Sequence, residues 1–547
     1  MAGAFQIARR LQPNCAGLDP EAGSWSLTAA MLRNILSVGG LTLASRVLGF
    51  ARDVLTAALL GAGPVADAFF VAFRLPNHFR ALLAEGAFNA AFVPVFSRLI
   101  VQAGRPRALA FAEQVLALMA LSQLVLLVIF ELVMPGFIRV FAPGFADQPE
   151  KFALAVLFTR ITFPYLLFIA IVSLTGALLN ALGRFAAAAA APILLNCVLI
   201  LAQLVLTAFV PTVGHALAWG VLGAGLAQFL YLQWSCHRAG LRLRLPWPRL
   251  GPDVVGFLRV LGPAAIGAGV VQINLFVDTL IASFLPTGAI SYLYYADRLN
   301  QLPLGVIGIA VGTVLLPEMS RYLKRGDAAA AARSQNRAIE LSLLLTLPAA
   351  AAFLTVAEPI VRVLFQRQSF GAADAAATSA TLMAYALGLP AFVLIRSVLP
   401  GFYAREDTAT PVRIAAIVVA INVALKLALM GPLQQVGLAL ATSVSSWLNL
   451  ALLGLVLRRR GFLALDARLM RSLLPLVVAS AGMAIALRVA LIGLDPWLAL
   501  PGLTGRVAAL AVLIALGLAV FALLALGLGA VDRAALRGVL RRRGSSA

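Results

Sequence analysis

The sequence predicts an all-α polytopic membrane protein of about fourteen transmembrane helices, with two six-helix lobes and two extra C-terminal helices. Composition is the first reason: 62% of the 547 residues are hydrophobic, 12% are charged, and the mean hydropathy is +0.96. A soluble domain carries roughly 25% charged residues and could not bury so much apolar surface. The other reasons are a series of long apolar runs and an internal repeat.

The apolar runs follow one another along almost the whole chain, separated by turn residues and arginines. A helix needs roughly 20 apolar residues to cross a hydrocarbon layer about 30 Å thick, and each run is long enough. The first six predicted spans are 33–58, 66–97, 109–134, 154–181, 186–210 and 215–235. The remaining eight are 254–285, 290–319, 338–366, 376–403, 411–430, 436–457, 471–493 and 504–529.

The repeat shows in the ends of spans two and eight. Span two ends in Val93–Arg98 and span eight in Leu316–Arg321, so that the two Ser-Arg pairs lie 223 residues apart. Similar offsets relate three further pairs: Arg74-Leu75 and Arg298-Leu299, Pro164 and Pro390, and Asn196 and Asn422. Because six crossings is an even number, the two copies have the same membrane orientation, as in transporters built from parallel repeats around a shared cleft.

This organisation predicts five segments. They are an N-terminal extension over 1–30, an N-lobe over 31–237, a C-lobe over 250–460, two further helices over 468–530 and a basic cytoplasmic tail over 531–547. The first 30 residues lack the continuous apolar stretch of a cleaved signal peptide. They are therefore either an extension or a sign that Met31 is the true start.

The 43 Lys and Arg residues outnumber the 22 Asp and Glu residues, and the excess is unevenly placed. If the N-terminus is cytoplasmic, the loops after even-numbered spans hold twenty Lys and Arg residues. The opposite loops and their margins hold six, namely Arg139, Lys151, Arg362, Arg367, Arg488 and Arg506. The positive-inside rule then places both termini in the cytoplasm. Nucleic acid is not indicated as a partner, because the aromatic and basic motifs of nucleic-acid modules are absent.

The sequence gives no sign of a metal site, a disulfide framework or a cofactor. The candidate ligands are scattered: Cys15, Cys197, Cys236, His78, His215 and His237. No CxxC spacing or His cluster joins them, and no GxxxxGK[ST] motif suggests ATP hydrolysis.

Charged residues inside the predicted spans carry the functional information. Each costs roughly 2.5–3.5 kcal/mol at the bilayer centre on insertion scales, so such residues pair with one another or line a wet cavity. The first two spans contain Arg46, Arg52, Asp53, Asp67, Arg74, Arg80 and Glu85, and the second lobe contains Asp278, Asp297, Arg298, Arg396 and Lys426.

The spacing of these arginines predicts irregular helices. Arg46 and Arg52 are six residues apart, about 240° around a helix, so they cannot share one narrow stripe, and we expect Gly49 to break the helix between them. Arg74 and Arg80 have the same spacing, with a proline kink expected between them at Pro76. Unwound segments at membrane depth are tolerated where they line a cavity.

A cleft lined by arginines should prefer an anion, because the planar guanidinium donates two parallel hydrogen bonds to phosphate oxygens. The alternative is local pairing that locks the helices together, for example Arg52 with Asp53 or Asp67, and Arg298 with Asp297. Asp278 and Lys426, with Asn422 one turn before Lys426, are candidates for a buried ion pair or for a proton or cation relay.

Six further segments are distinctive: Ser45–Asp53, Asp67–Asn77, Ala84–Phe88, Ala142–Phe145, Tyr294–Leu299 and Pro400–Tyr403. Together they closely resemble the MviN/MurJ family of lipid II flippases. The resemblance extends from about residue 31 to beyond residue 460. It implies the fold of the multidrug/oligosaccharidyl-lipid/polysaccharide exporter superfamily, with two lobes around a cationic cavity and two extra helices forming a lipid-tail groove.

The resemblance also implies the substrate, lipid II, and the residues that hold its headgroup or gate the cavity. The family's arginines in spans one, two and eight match Arg46, Arg52, Arg80 and Arg298, its acidic residue in span two matches Asp67, and a basic position in span ten matches Arg396. Gln301 stands where the resemblance leads us to expect an acidic side chain in some relatives. We expect a monomer in the inner membrane, in contact with membrane lipids, with the cell-wall synthesis machinery as a candidate partner.

Three other functions stay open on the sequence alone. A sibling transporter of drugs or O-antigen lipids predicts the same lobes with a less cationic cavity. A membrane enzyme acting on polyprenyl phosphates would need a nucleophile, a base or a carboxylate cluster, and none is evident, so we expect no enzyme activity. A binding scaffold is the third. The energy source, whether membrane potential, sodium or protons, is not indicated.

Overall fold

The computed structural model describes residues 20–83, 87–499 and 502–530. Those residues form fifteen α-helices and no strand, which confirms the all-α prediction for this part of the chain. Most of the predicted N-terminal extension, the candidate residue Glu85 and the basic tail over 531–547 lie outside the described residues.

Packing contacts divide the chain into two units, of which the first is Met1–Leu60 with Pro64–Leu280. Its helices are α1 Pro20–Leu60, α2 Pro64–Leu83, α3 Ala87–Phe141, α4 Pro149–Thr162, α5 Tyr165–Ala181, α6 Phe185–Val205, α7 Val213–Arg238 and most of α8 Pro252–Ser283. Helix α6 packs on α1 and α7, and α4 packs on α2. The sequence divides the lobes between residues 237 and 250, and that division stays a prediction.

The second unit is Gly61–Gly63 with Ile281–Ala547. Its helices are α9 Ala289–Lys324, α10 Ala328–Phe365, α11 Ala372–Val398, α12 Pro400–Tyr403, α13 Ala409–Arg459, α14 Ala467–Ala499 and α15 Leu503–Gly527. Helix α11 packs against α9, α10 and α13, while the C-terminal pair α14 and α15 packs against α10. Two apolar clusters fill this last contact, one around Leu343 and Leu476 and one around Val363 and Leu487.

Nine helical segments of the described chain are long and apolar enough to cross a membrane. Two of them, in α3 and α13, are 51 residues long, far more than one crossing needs. The backbone leaves the helical conformation within each, at Gly104 in α3 (φ 79°) and at Gln434 in α13 (φ 48°). Glycine adopts this left-handed conformation without steric cost, which explains the first break.

The expected break at Gly49 is wrong, because α1 continues through it as a regular helix. A Cβ atom at Gly49 would lie 3.4 Å from the side-chain nitrogen of Asn196 on α6. The glycine therefore serves close helix packing and leaves the backbone regular. The pattern Arg-x-x-Gly does not by itself distinguish these two uses of glycine.

The basic loops at one end of the first unit contact one another. Arg105 donates to the Gly240 carbonyl oxygen at 3.1 Å, and Arg107 lies 3.3 Å from the Asp253 carboxylate. The Arg244 amide donates to Glu113 at 2.9 Å. The segments that follow predicted spans two and six therefore lie at the same end of this unit.

The second unit has a comparable set of contacts. Arg337 pairs with both Glu340 and Asp466. Arg460 pairs with Asp407 at 2.5 Å, and the guanidinium of Arg405 stacks on the Phe462 ring at 4.1 Å from its centroid. The segments after predicted spans eight, ten and twelve therefore meet at one end of this unit.

Asp407 makes this loop contact sensitive to acid. Its carboxylate accepts hydrogen bonds from the Thr410 backbone and from Arg460, which lower the pKa of Asp407 from 3.8 to about 2. A carboxylate with a depressed pKa stabilises the folded state above its unfolded pKa, and that stabilisation is lost as the pH falls from about 4 toward 2.

We expect Asp407→Asn to lower the Tm in detergent at pH 7, with a difference from wild type that narrows below pH 4. A Tm difference from wild type that does not change with pH would contradict this assignment. So would an equal Tm loss in the neighbouring Glu406→Gln variant.

Candidate substrate-binding residues

Arg52 lies at the centre of a buried polar cluster in the first unit. Its guanidinium contacts the Asp53 carboxylate at 2.7 Å and donates to the Asn196 side-chain oxygen at 3.0 Å, and both Arg52 and Asp53 are at least 90% buried. The ring of Phe73 lies 5.9 Å from the guanidinium carbon. The local pairing that the sequence left open for Arg52 is thus present with Asp53.

Asn196 joins α6 to α1 and holds the cluster in place. Its amide nitrogen donates to the Ser45 carbonyl oxygen at 3.0 Å and to the Pro192 carbonyl oxygen at 3.1 Å. Its oxygen is then directed at Arg52, so the asparagine fixes the guanidinium from a neighbouring helix. The repeat had singled out Asn196 in the sequence, but only the packing of α6 on α1 assigns it this contact.

Arg46, six residues before Arg52 on α1, is exposed. The unbroken helix separates the two side chains by about 240°, as the spacing requires. One helix therefore carries one buried and one exposed arginine, and the structure does not bring the two together in one cluster.

Pro76 is accommodated in α2 by side chains. Proline cannot donate to the carbonyl four residues earlier, which is that of Ala72, and the Thr162 hydroxyl on α4 donates to this oxygen at 3.3 Å. The Asn77 amide donates to the Phe73 carbonyl oxygen at 2.8 Å. Helix α2 continues past the proline with these oxygens satisfied.

A polar contact joins α2 to α8 beyond the proline. Arg74 donates to the Thr279 hydroxyl at 3.4 Å, and His78 Nδ1 lies 2.9 Å from the Gln272 side-chain oxygen. Asp278, on the same helix, is half-buried, and so is Arg80 further along α2. Of the predicted residues on these two helices, Arg74 makes a direct contact between them.

Asp67 forms a buried ion pair that the sequence did not predict. Its carboxylate lies 2.9 Å from Lys151 Nζ on α4, with the two side chains 0% and 2% exposed. The ammonium group also lies 4.3 Å from the centroid of the Phe145 ring. In the sequence Lys151 is only one of six basic residues of the opposite loops, because no spacing rule connects residues 84 positions apart. Asp67 was expected to contact substrate or Arg52.

Arg298 is half-buried on α9 in the second unit, with its guanidinium carbon 4.7 Å from the centroid of the Tyr294 ring. Its neighbour Asp297 accepts a hydrogen bond from Gln301. Gln301, where the family resemblance leads us to expect an acidic side chain in some relatives, thus supplies an amide donor to a carboxylate one turn earlier.

Arg396 is exposed on α11, and its side chain crosses α9 at Gly308. A Cβ atom at Gly308 would lie 2.8 Å from Arg396 Cδ, so the glycine provides the space for the arginine. On α13, Asn422 and Lys426 are both buried, with exposed fractions of 8% and 2%. The Asn422 side-chain oxygen is buried without a hydrogen-bond partner in the described structure.

The chemistry that these residues offer is that of arginine, whose guanidinium group suits an anion. No group of three His, Cys, Asp or Glu side chains in that part of the chain could hold a metal ion. Each unit instead presents arginines beside aromatic rings and amides. The predicted pair of Asp278 and Lys426 stays a prediction.

Comparison with known proteins assigns the family. Residues 56–499 match the profile described as lipid II flippase MurJ. The chain belongs to the lipid II flippase MurJ family. Two similar MurJ relatives are probable lipid II flippases of Rhizobium meliloti (strain 1021) and Rhizobium tropici. They are 46% and 44% identical over 527 and 519 residues, and each alignment covers 94% of this chain and 97% of the relative.

Solved structures agree with the MurJ assignment. A lipid II flippase MurJ in an inward closed conformation matches with a TM-score of 0.74 at 25% identity, over 89% of this chain and 97% of that chain. An inward-facing multidrug resistance MATE family transporter of the MOP superfamily matches with a TM-score of 0.61 at 14% identity, over 78% and 97%. The second likeness shows the fold alone. The resemblance of the sequence to the MviN/MurJ family is confirmed.

Proposed function

We propose that this chain flips lipid II from the cytoplasmic to the periplasmic leaflet of the bacterial inner membrane. The observation that carries the proposal is family membership over nearly the whole chain, with relatives 46% and 44% identical described as probable lipid II flippases. The relatives are transporters, and the proposed activity needs no bond to be made or broken. It moves a headgroup while the lipid tail stays in the apolar phase.

The physical obstacle to flipping is the headgroup. A hydrated diphosphate with its sugars and peptide cannot enter hydrocarbon unaided, because desolvating charge without compensation is prohibitive. Arginine forks can replace that hydration with charge-assisted hydrogen bonds. We assign this role to Arg46, Arg52, Arg80, Arg298 and Arg396 in a central cavity, which alternating access exposes to one side of the membrane and then to the other.

Fourteen membrane crossings and the repeat are part of the proposal. The breaks at Gly104 and Gln434 divide α3 and α13, which supports two crossings from α13 and a new crossing after Gly104. Counting α2 with the first part of α3, α4 with α5, and α11 with α12 as single crossings then gives fourteen. An even number in each lobe gives the two copies the same orientation.

Cytoplasmic termini are supported by charge and by contacts together. The loops after even-numbered spans hold twenty basic residues, against six on the other side. Within each unit those basic segments contact one another at one end, as the Arg105–Gly240 and Arg337–Asp466 contacts illustrate. Such contacts are expected of loops that lie on the same side of the membrane.

A test of the proposed function uses cells depleted of their own lipid II flippase. Expression of this chain is expected to restore the access of a periplasmic degrading enzyme to lipid II, measured as the fraction of lipid II cleaved. The control is a chain of equal abundance from the MATE branch, which should restore nothing. If the chain is present in the membrane at normal abundance but cleavage is not restored, the substrate is another lipid-linked molecule or a small molecule.

A further inference from the structure

A cavity of about 440 Å³ lies in the second unit, where the end of α10 meets the second half of α14. Its lining combines three charged side chains, Glu358, Arg362 and Arg488, with an apolar wall that includes Leu491 and Leu498. None of these residues belongs to the proposed headgroup site. The volume is within the range of small-molecule pockets, about 300–1,000 Å³.

The charges of the lining do not balance within the protein. Glu358 pairs with Arg362 at 2.6 Å, one turn apart on α10, and Arg362 lies in the last turn of that helix, where a cation is favoured. Arg488 has neither a hydrogen-bond nor an ion-pair partner in the described part of the chain. The cavity therefore presents one guanidinium in excess.

The position of Arg488 along α14 places it at the level of lipid headgroups. Arg468 and Arg471 mark one end of the helix, and Arg488 follows Arg471 by 17 residues, or about 26 Å at 1.5 Å per residue. The hydrocarbon layer is about 30 Å thick. If the first pair lies at one interface, Arg488 lies close to the other, where lipid phosphates are the abundant anions.

An apolar strip on α14 leads from this cavity back toward the middle of the helix. Leu474, Val478, Ile485 and Ile492 lie on one face, and Leu474, Ile485 and Ile492 are 71%, 67% and 78% exposed. Arg488 is on the same face, since it is three residues after Ile485 and four before Ile492. A charged group next to a long exposed apolar strip matches a molecule with a phosphate head and a hydrocarbon tail.

We propose that this cavity binds the phosphate of a membrane lipid, with Arg488 as its main ligand, Arg362 as a second donor and the lipid chain along Ile485 and Ile492. The arginine fork suits phosphate oxygens, and the apolar strip replaces contacts that the chain has in the bilayer. Two sources share this chemistry: a bilayer phospholipid and a polyprenyl phosphate. The site is separate from the proposed headgroup cavity and does not depend on the flipping activity.

The test measures lipid binding to the purified full chain in detergent by native mass spectrometry, with phosphatidylglycerol as the probe. We expect Arg488→Gln to weaken binding about tenfold, as the loss of a charge-assisted contact implies. Ile492→Ser should weaken it as well. Arg471→Gln is the matched control, because it removes an exposed arginine from the other end of the same helix, and it should leave the binding unchanged.

Competition then identifies the source of the phosphate. If an equal amount of undecaprenyl phosphate displaces phosphatidylglycerol, the site exists and its ligand is a polyprenyl phosphate. If phosphatidylglycerol stays bound, the site exists and its ligand is a phospholipid. Displacement by inorganic phosphate alone would overturn the proposal, because it requires the chain as well as the phosphate. Unchanged binding in Arg488→Gln, or an equal loss in Arg471→Gln, would also overturn it.

Discussion

Arg298→Ala is expected to reduce lipid II flipping by about a hundredfold or more while the protein stays folded in the membrane. The Arg298 guanidinium can donate two charge-assisted hydrogen bonds to the diphosphate, each contributing roughly 1.5–3 kcal/mol, and the alanine variant would make neither. Arg298 is half-buried and lies on the Tyr294 ring, so its removal opens little core. The loss should therefore appear in transport and leave stability almost intact.

The measurement is periplasmic cleavage of lipid II in flippase-depleted cells, normalised to membrane abundance. Arg298→Lys keeps the charge without the planar fork and should retain part of the activity. Arg321→Ala is the matched control, since Arg321 is an exposed arginine at the far end of the same helix. Normal cleavage by Arg298→Ala would remove this residue from the proposed site.

Arg52 is a less informative position for the same question. Its buried contacts with Asp53 and Asn196 mean that Arg52→Ala would leave a carboxylate without its guanidinium inside the protein. Breaking a buried pair in this way costs about 3–5 kcal/mol. Loss of flipping in that variant would therefore mix a folding defect with loss of a ligand.

The fold could be predicted from sequence because the membrane imposes strong constraints. Apolar runs of sufficient length must be helices, since no water is present to satisfy an open backbone. Breaks were harder to place, because glycine serves both as a helix breaker and as a site of close packing. Gly104 acts as a helix breaker, with a φ of 79°, and Gly49 allows the close approach of Asn196.

The sequence identifies candidate residues by their type, but it does not identify their partners. Intramembrane charges stand out in the sequence because each is expensive in hydrocarbon. Which charges pair depends on helix packing, so the buried Lys151 on α4 could not be connected to Asp67 on α2. For the same reason the sequence does not show that the Thr162 hydroxyl donates to the Ala72 carbonyl oxygen, which Pro76 leaves without a backbone donor.

Breaking the Asp67–Lys151 pair should strongly destabilise the first unit. Both side chains are almost completely buried, so Asp67→Asn leaves an ammonium group and Lys151→Met leaves a carboxylate without its counter-ion. Each change is expected to cost about 3–5 kcal/mol. Thermal unfolding in detergent and membrane abundance measure this, with Glu150→Gln, an exposed neighbour of Lys151, as the control.

The double variant Asp67→Asn, Lys151→Met separates the two roles open to Asp67. Removing both charges together avoids the uncompensated ion, so most of the lost stability should return. If the carboxylate serves only the ion pair, flipping returns with stability. If it also contacts the headgroup or gates the cavity, the double variant is abundant and stable but inactive. The contrary result is a double variant that loses as much unfolding free energy as the two single variants lose together. The two charges would then have no coupling energy, and packing alone would have to explain their burial.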